Sequence, residues 1–336
     1  MFRTALAVGL VSTALFAADR NPAPNINSAT TSVTRLDLQG KISGAGSLRS
    51  LRVNLFAVET PYFESTEVNR SGEFRFRSLA PGNYTVAVVR NGLGEVRRTV
   101  VVSSAIADPS GVVHTTIPYT SSEAAANPDG GVVTVHQLSI PGSASAKYAD
   151  AQKRLAAHDP GGAVRILEDA VVTAPEYSAA WNALGVIAFQ TGDADRAEAL
   201  FRKALAADSS AFEPLVNLGG VLLKKAALRK EAPTEALPFN QRAVRDRPED
   251  ALANAQLGMN YFKLDQLDQA EQYLLAAKRL DPAQYYQPQI FLADIYTRRG
   301  NRRAAIRELQ DVLALRPDGP LSDSIRHNLA QLSAAP

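Results

Sequence analysis

Hydrophobic residues along this chain follow two different periods, and the change falls near residue 143. Before it, short runs alternate between apolar and polar. Leu36 and Leu38 alternate with polar neighbours and stop at Gly40, and Leu51, Val53, Leu55 and Ala57 alternate again. A Ser71-Gly72 turn precedes Phe74 and Phe76, which point one way while Glu73, Arg75 and Arg77 point the other. Pro81-Gly82 marks another turn; Tyr84, Val86 and Val88 follow, then Asn91-Gly92, then Val96, Val100 and Val102. Period-two runs punctuated by Gly and Pro predict an antiparallel β-sandwich. Val112 to Pro118 and Val132 to Ile140 each read as a further strand, separated by Ser121 to Gly131, a flexible loop by composition. The second of these docks either on the sandwich or on the first helix, and the sequence leaves both open.

From Ala144 the period becomes 3.6, and a phrase recurs about every 34 residues. Trp181, Leu184, Gly185, Ala197, Phe201 and Ala204 spell it once; Asn254, Leu257, Gly258, Tyr261, Ala270, Leu274, Ala277 and Pro282 spell it again. Small residues such as Gly185 and Ala197 belong where two helices touch, and bulky ones such as Trp181 and Phe201 fill the space between neighbouring pairs. Gly192 and Gly300 fall in inter-helix turns, and proline near each unit's end stops the second helix. Five units follow in register. The first is weak, with Lys147 and Asp150 where large apolar residues are usual; the others begin at Ser178, Phe212, Ala251 and Tyr286. Leu321 to Leu332 forms an amphipathic cap over the exposed end. The third unit carries extra residues within Lys224 to Ala236, among them Lys224, Lys225, Arg229 and Lys230. That cluster reads either as a contact for an acidic partner or as a solvated helix end broken by Pro233.

These units resemble the tetratricopeptide repeat (TPR) family, which implies stacked helix hairpins forming a curved solenoid. The resemblance also implies that positions on each unit's first helix line a concave face that binds a protein or peptide. Carried over residue by residue, these include Asn182, Val186, Phe189, Gln190, Asn217, Leu223, Lys224, Met259, Phe262, Lys263, Ile290, Asp294 and Arg298. Phe189 and Phe262 are expected either to anchor a partner or to pack on the neighbouring unit's first helix. The carboxylate clamp of some family members is incomplete: Asn217 matches its middle Asn, but Asn182 and Val186 precede it and Leu252 and Gln256 follow it.

The stretch from Gly72 through Phe74, Phe76, Leu79, Pro81, Gly82 and Tyr84 to Val86 resembles carboxypeptidase regulatory-like domains, a transthyretin-like sandwich. The resemblance implies an accessory β module without peptidase activity, with Gly82 supplying positive φ in a type II turn. The expected fold is therefore multidomain: an antiparallel β-sandwich followed by an all-α TPR solenoid of about five repeats with a C-terminal capping helix.

The first residues read as an export signal. Arg3 precedes an apolar run, Ala5 to Phe16, too short for the roughly 20 residues that span a bilayer. Cleavage near Ala17 or Ala18 fits this layout; an uncleaved anchor or a tail is the other reading. The expected division is 1–18 signal, 19–33 flexible leader, 34–118 sandwich, 119–142 linker with a possible extra strand, and 143–333 solenoid.

Composition narrows the function. The net charge of +2 among 336 residues argues against nucleic acid as partner. The absence of cysteine excludes disulfides and thiolate metal sites. His114, His136, His158 and His327 lack zinc-pair spacing, and there is no GxxxxGK phosphate loop. The expectation is no catalytic residue, no metal and no cofactor. The chain reads as an exported scaffold for protein or peptide partners in the periplasm or outside the cell. The alternatives are an envelope glycan binder using Tyr62 and Phe63 on the sandwich, and an accessory subunit of an outer-membrane transport or assembly complex.

Overall fold

The computed structural model describes residues 35–44, 51–90, 94–126 and 139–334. The expected signal and leader, the Asn91-Gly92 turn, and most of the expected strand from Val132 to Ile140 lie outside the described residues.

The N-terminal unit is a two-sheet sandwich. One sheet has the order β4-β1-β7, formed by Glu73–Leu79, Leu36–Ser43 and Val112–Pro118; the other has the order β3-β2-β5-β6, formed by Phe63–Glu67, Leu51–Ala57, Gly82–Arg90 and Gly94–Val102. Alternation places Leu38, Val53, Leu55, Phe76, Val86, Val88 and Val96 in one core between the sheets. Phe74 and Leu79 join that core while Arg75 and Arg77 are exposed, as the alternation predicted.

Three features differ from the sequence reading. The sandwich is not purely antiparallel, because β1 pairs with β7 in parallel, Leu38 beside Val113 and Ile42 beside Ile117. A parallel partner needs a long return path, and the whole second sheet supplies it. Gly82 opens β5 without positive φ; Ser78 takes the left-handed conformation instead (φ 55°). Asp37 holds it there by accepting the Ser78 amide (2.9 Å) and the Arg75 guanidinium (2.7 Å). The expected loop after Tyr119 begins as a short helix, α1 (Ser121–Ala126), whose Ala124 reaches the sandwich core.

The C-terminal unit is a stack of helix pairs. They are α2 (Gly142–Ala156) with α3 (Pro160–Thr173), α4 (Ser178–Gln190) with α5 (Ala194–Ala207), α6 (Phe212–Arg229) with α7 (Leu237–Asp246), α8 (Ala251–Lys263) with α9 (Leu267–Leu280), and α10 (Pro288–Arg298) with α11 (Arg302–Leu315). A last helix, α12 (Ser322–Ala334), covers the end. Aspartate or asparagine caps several starts, with Asp193 accepting the Arg196 amide and Asn301 the Ala304 amide. Within each of the five pairs the connection passes through one left-handed residue: His158, Gly192, Lys230, Asp265 and Gly300 in turn. The extra length in the third pair is mostly helix, since α6 has 18 residues where α4 and α8 have 13.

Buried small residues at Ala163, Ala197, Ala270 and Ala305 let paired helices approach, and Leu167, Phe201, Leu274 and Leu309 fill the gaps one turn later. The basic cluster on α6 is tied into the fold: Lys225 bridges Asp195 and Glu198, both at 2.5 Å.

Candidate functional site at the junction of sandwich and solenoid

The sandwich packs against the solenoid and meets its repeats from His158 to Asp318. The residues of β5 explain why. Tyr84, Val86 and Val88 face the sandwich core, yet Ala87 and Val89 on the opposite face are buried too. On β6 their cross-strand neighbours are Arg97 and Glu95. This outer face of the sheet is what the helices cover.

The contacts run the length of the array. At its N-terminal end the Tyr62 ring stacks on His158, centroids 5.0 Å apart. Next, the Gln190 carboxamide on α4 donates to two successive main-chain carbonyls, Ala57 (3.0 Å) and Val58 (3.1 Å). Arg97 donates to Glu213 of α6 (2.8 Å) and also pairs with Glu95. Asp281, beyond α9, accepts the main-chain N–H of Thr99 (2.9 Å). Arg316 reaches Asn83 Oδ1 (3.2 Å), and Ser103 donates to Asp318 (3.0 Å) at the far end.

The middle of the junction is a charge cluster. Arg247 lies 3.9 Å from the Phe212 ring centroid and 3.9 Å from Glu213. Burial, and then the positive charge of Arg97, bring its pKa down to about 10. Asp250 caps α8 by accepting the Ala253 amide (2.8 Å). Burial raises the pKa values of Glu95, Asp250 and Asp281 against the pull of the nearby arginines and amides.

Between sandwich and helices remains a cavity of about 610 Å³, within the range typical of ligand pockets at domain interfaces. Of the residues assigned to the groove from sequence, Val186, Phe189, Gln190, Asn217 and Lys224 line it. The Lys224 ammonium lies 4.7 Å from the Phe189 ring centroid, and Asn217 donates to Asn182 (2.9 Å). From the sandwich come Val58, Glu59, Thr85, Arg97 and Thr99, and from later repeats Gln256, Asp281, Tyr285 and Tyr286.

The other residues assigned to the groove do not reach this wall. Leu223, Met259, Ile290 and Asp294 are buried between helices. Phe262 packs on Phe291 of the next unit's first helix, centroids 5.3 Å apart, the second of its two expected placements. Lys263 lies 5.9 Å from that ring, and Arg298 covers it while pairing with Asp294 (2.8 Å). Periodicity could not separate these from Phe189, because a concave helix face includes residues wedged against the next hairpin.

The sandwich half of the site escaped the sequence reading, although a signal was present. Val86 to Val89 is an unbroken apolar run, which indicates a strand covered on both faces. Of the two aromatics expected for sugars, Tyr62 stacks on His158 and Phe63 packs against Phe56, centroids 5.1 Å apart. Of the histidines among the described residues, His114 pairs with Asp108 (2.8 Å) and His327 with Gln331 (2.8 Å). Among the described residues no group of three or more His, Cys, Asp or Glu side chains is arranged to hold a metal, and no helix is long and apolar enough to cross a membrane.

Stacked hairpins with small residues at the helix contacts and proline at the unit ends define a helical-repeat solenoid. Its units are tetratricopeptide repeats: family models of that description match residues 148–212, 251–284 and 290–321. Among solved structures, MamA from Desulfovibrio magneticus RS-1 is 23% identical, covering 54% of this chain and 99% of that one, with a TM-score of 0.45. YrrB, described as a TPR protein with an unusual peptide-binding site, is 23% identical over 54% of this chain and 90% of its own, with a TM-score of 0.44. PilW, described as a widely conserved type IV pilus biogenesis factor, is 22% identical over 57% of this chain and 90% of its own, with a TM-score of 0.47. Among curated proteins none matches the sequence.

Proposed function

We propose that this chain is an exported, non-enzymatic scaffold of the cell envelope that binds a peptide or helix of a partner protein on the concave face of its repeats. The observation that carries the reading is the cavity of about 610 Å³ at the junction, where Phe189, Lys224, Gln190 and Asn217 from the repeats face Arg97 and Thr99 of the sandwich. A rigid aromatic beside a cation, with carboxamides around it, suits a segment offering both apolar side chains and main-chain polar groups. Export rests on the apolar run Ala5 to Phe16 behind Arg3. The Phe74-to-Tyr84 pattern supports kinship of the sandwich with carboxypeptidase regulatory-like domains, acting as an accessory module.

The test is crosslinking in intact cells with a photoreactive residue at position 189, followed by fractionation. The expected result is an envelope-localised adduct to one protein that is lost in Lys224→Glu. A cytoplasmic chain, or adducts indifferent to Lys224, would refute the reading.

A further inference from the structure

Building on the proposed concave-face function, we propose that the β-sandwich is a reversible intramolecular occupant of that face. It makes the contacts that an extended, basic segment of a partner would otherwise make. The solenoid grips the sandwich in part by its main-chain groups: Gln190 donates to the carbonyls of Ala57 and Val58, and Asp281 accepts the N–H of Thr99. Such contacts read an extended backbone, whichever chain supplies it.

Another part of the hold is ionic. Arg97 enters a cluster with Glu95, Glu213 and Arg247. Desolvating these charges offsets much of what their pairing gains, so the cluster adds little net hold to the docked state. Contacts this polar resemble transient interfaces between domains. The fit is also incomplete. The cavity persists, and on its wall Gln256 is 2% exposed with its Oε1 lacking any hydrogen-bond partner. A buried carboxamide oxygen without a donor calls for an explanation, and a surface shaped for another chain supplies one. The partner chemistry follows from β6: an arginine to meet Glu213, and a free main-chain N–H two residues later to meet Asp281.

The experiment uses the full chain and a fluorescently labelled synthetic peptide with the sequence of residues 94–102. Arg97→Glu sets a third carboxylate beside Glu95 and Glu213. Thr99→Pro removes the N–H given to Asp281; this amide points away from the sheet at an edge strand, where proline is tolerated. In both variants, amide exchange at Ala57–Thr60 and Asp250–Gln256 should rise about ten-fold or more with helical circular dichroism unchanged. The peptide should bind both about ten-fold more tightly than it binds the wild type. Adding Glu213→Arg to Arg97→Glu should reverse both effects. Unchanged exchange in both variants, helix loss together with undocking, or peptide affinity equal to wild type would overturn the proposal. The exchange arm needs no natural partner, so its result stands whether or not the envelope crosslink is found.

Discussion

Gly185 of α4 and Phe201 of α5 approach so closely that a Cβ on the glycine would lie 2.5 Å from the phenylalanine ring. Phe201 is 1% exposed, so its ring cannot swing out to solvent. Gly185→Ala should therefore separate the two helices and cost about 1–3 kcal/mol, seen as a lower thermal midpoint. An unchanged midpoint would mean that the pair is looser than described.

Lys230 ends α6 in the left-handed conformation (φ 58°), the place that glycine holds at Gly192 and Gly300. A side chain there crowds the following carbonyl. Lys230→Gly should stabilise the protein by about 1 kcal/mol, because relief of the crowding outweighs the greater freedom of unfolded glycine. Urea denaturation checks this, and a lower midpoint would contradict it.

Gln190→Ala removes two hydrogen bonds across the junction and leaves the carbonyls of Ala57 and Val58 less well satisfied. The expected cost to docking is about 1–3 kcal/mol. Amide exchange in the turn from Ala57 to Tyr62 should quicken while the solenoid's own unfolding midpoint stays put. Equal loss of both would show that the two units are not separable.

Acidity should first strengthen and then weaken this protein. Glu95, Asp250 and Asp281 have pKa values raised by burial, so the folded chain binds protons more readily than the unfolded one. Stability from these groups grows as pH falls from neutral through their raised values and is complete below the ordinary carboxylate value of about 4. Asp37 acts oppositely: the Ser78 amide and Arg75 hold its pKa down, and its contribution is lost as pH falls through that lowered value. Hydrogen bonds from Ser110 and His114 lower Asp108 in the same way. Thermal midpoints should therefore pass through a maximum at mildly acidic pH; a monotonic fall from pH 7 would refute this.

The repeats were legible because their information is local. Trp181 to Ala204 encodes one hairpin within itself, with Pro175 ahead of it and Gly192 at its turn. The strands of the sandwich were equally legible, but their pairing was not. The parallel match of β1 with β7 joins distant segments, and no turn residue announces it. Ser78 took the conformation expected of Gly82 because Asp37, distant in sequence, supplies the hydrogen bond that holds it. At the site, Phe189 and Phe262 have the same repeat position but opposite fates. Only the location of the sandwich and of Phe291 distinguishes them, and neither is written near them in the chain.

An open solenoid is a spring whose hairpins can splay or tighten at small cost, because each touches only its neighbours. Here the sandwich touches His158 near one end and Asp318 near the other. It is thus a strut across the arc. While it stays seated, the superhelix has one fixed pitch and stretching force is shared by both units; once it lifts, the coil regains its elasticity.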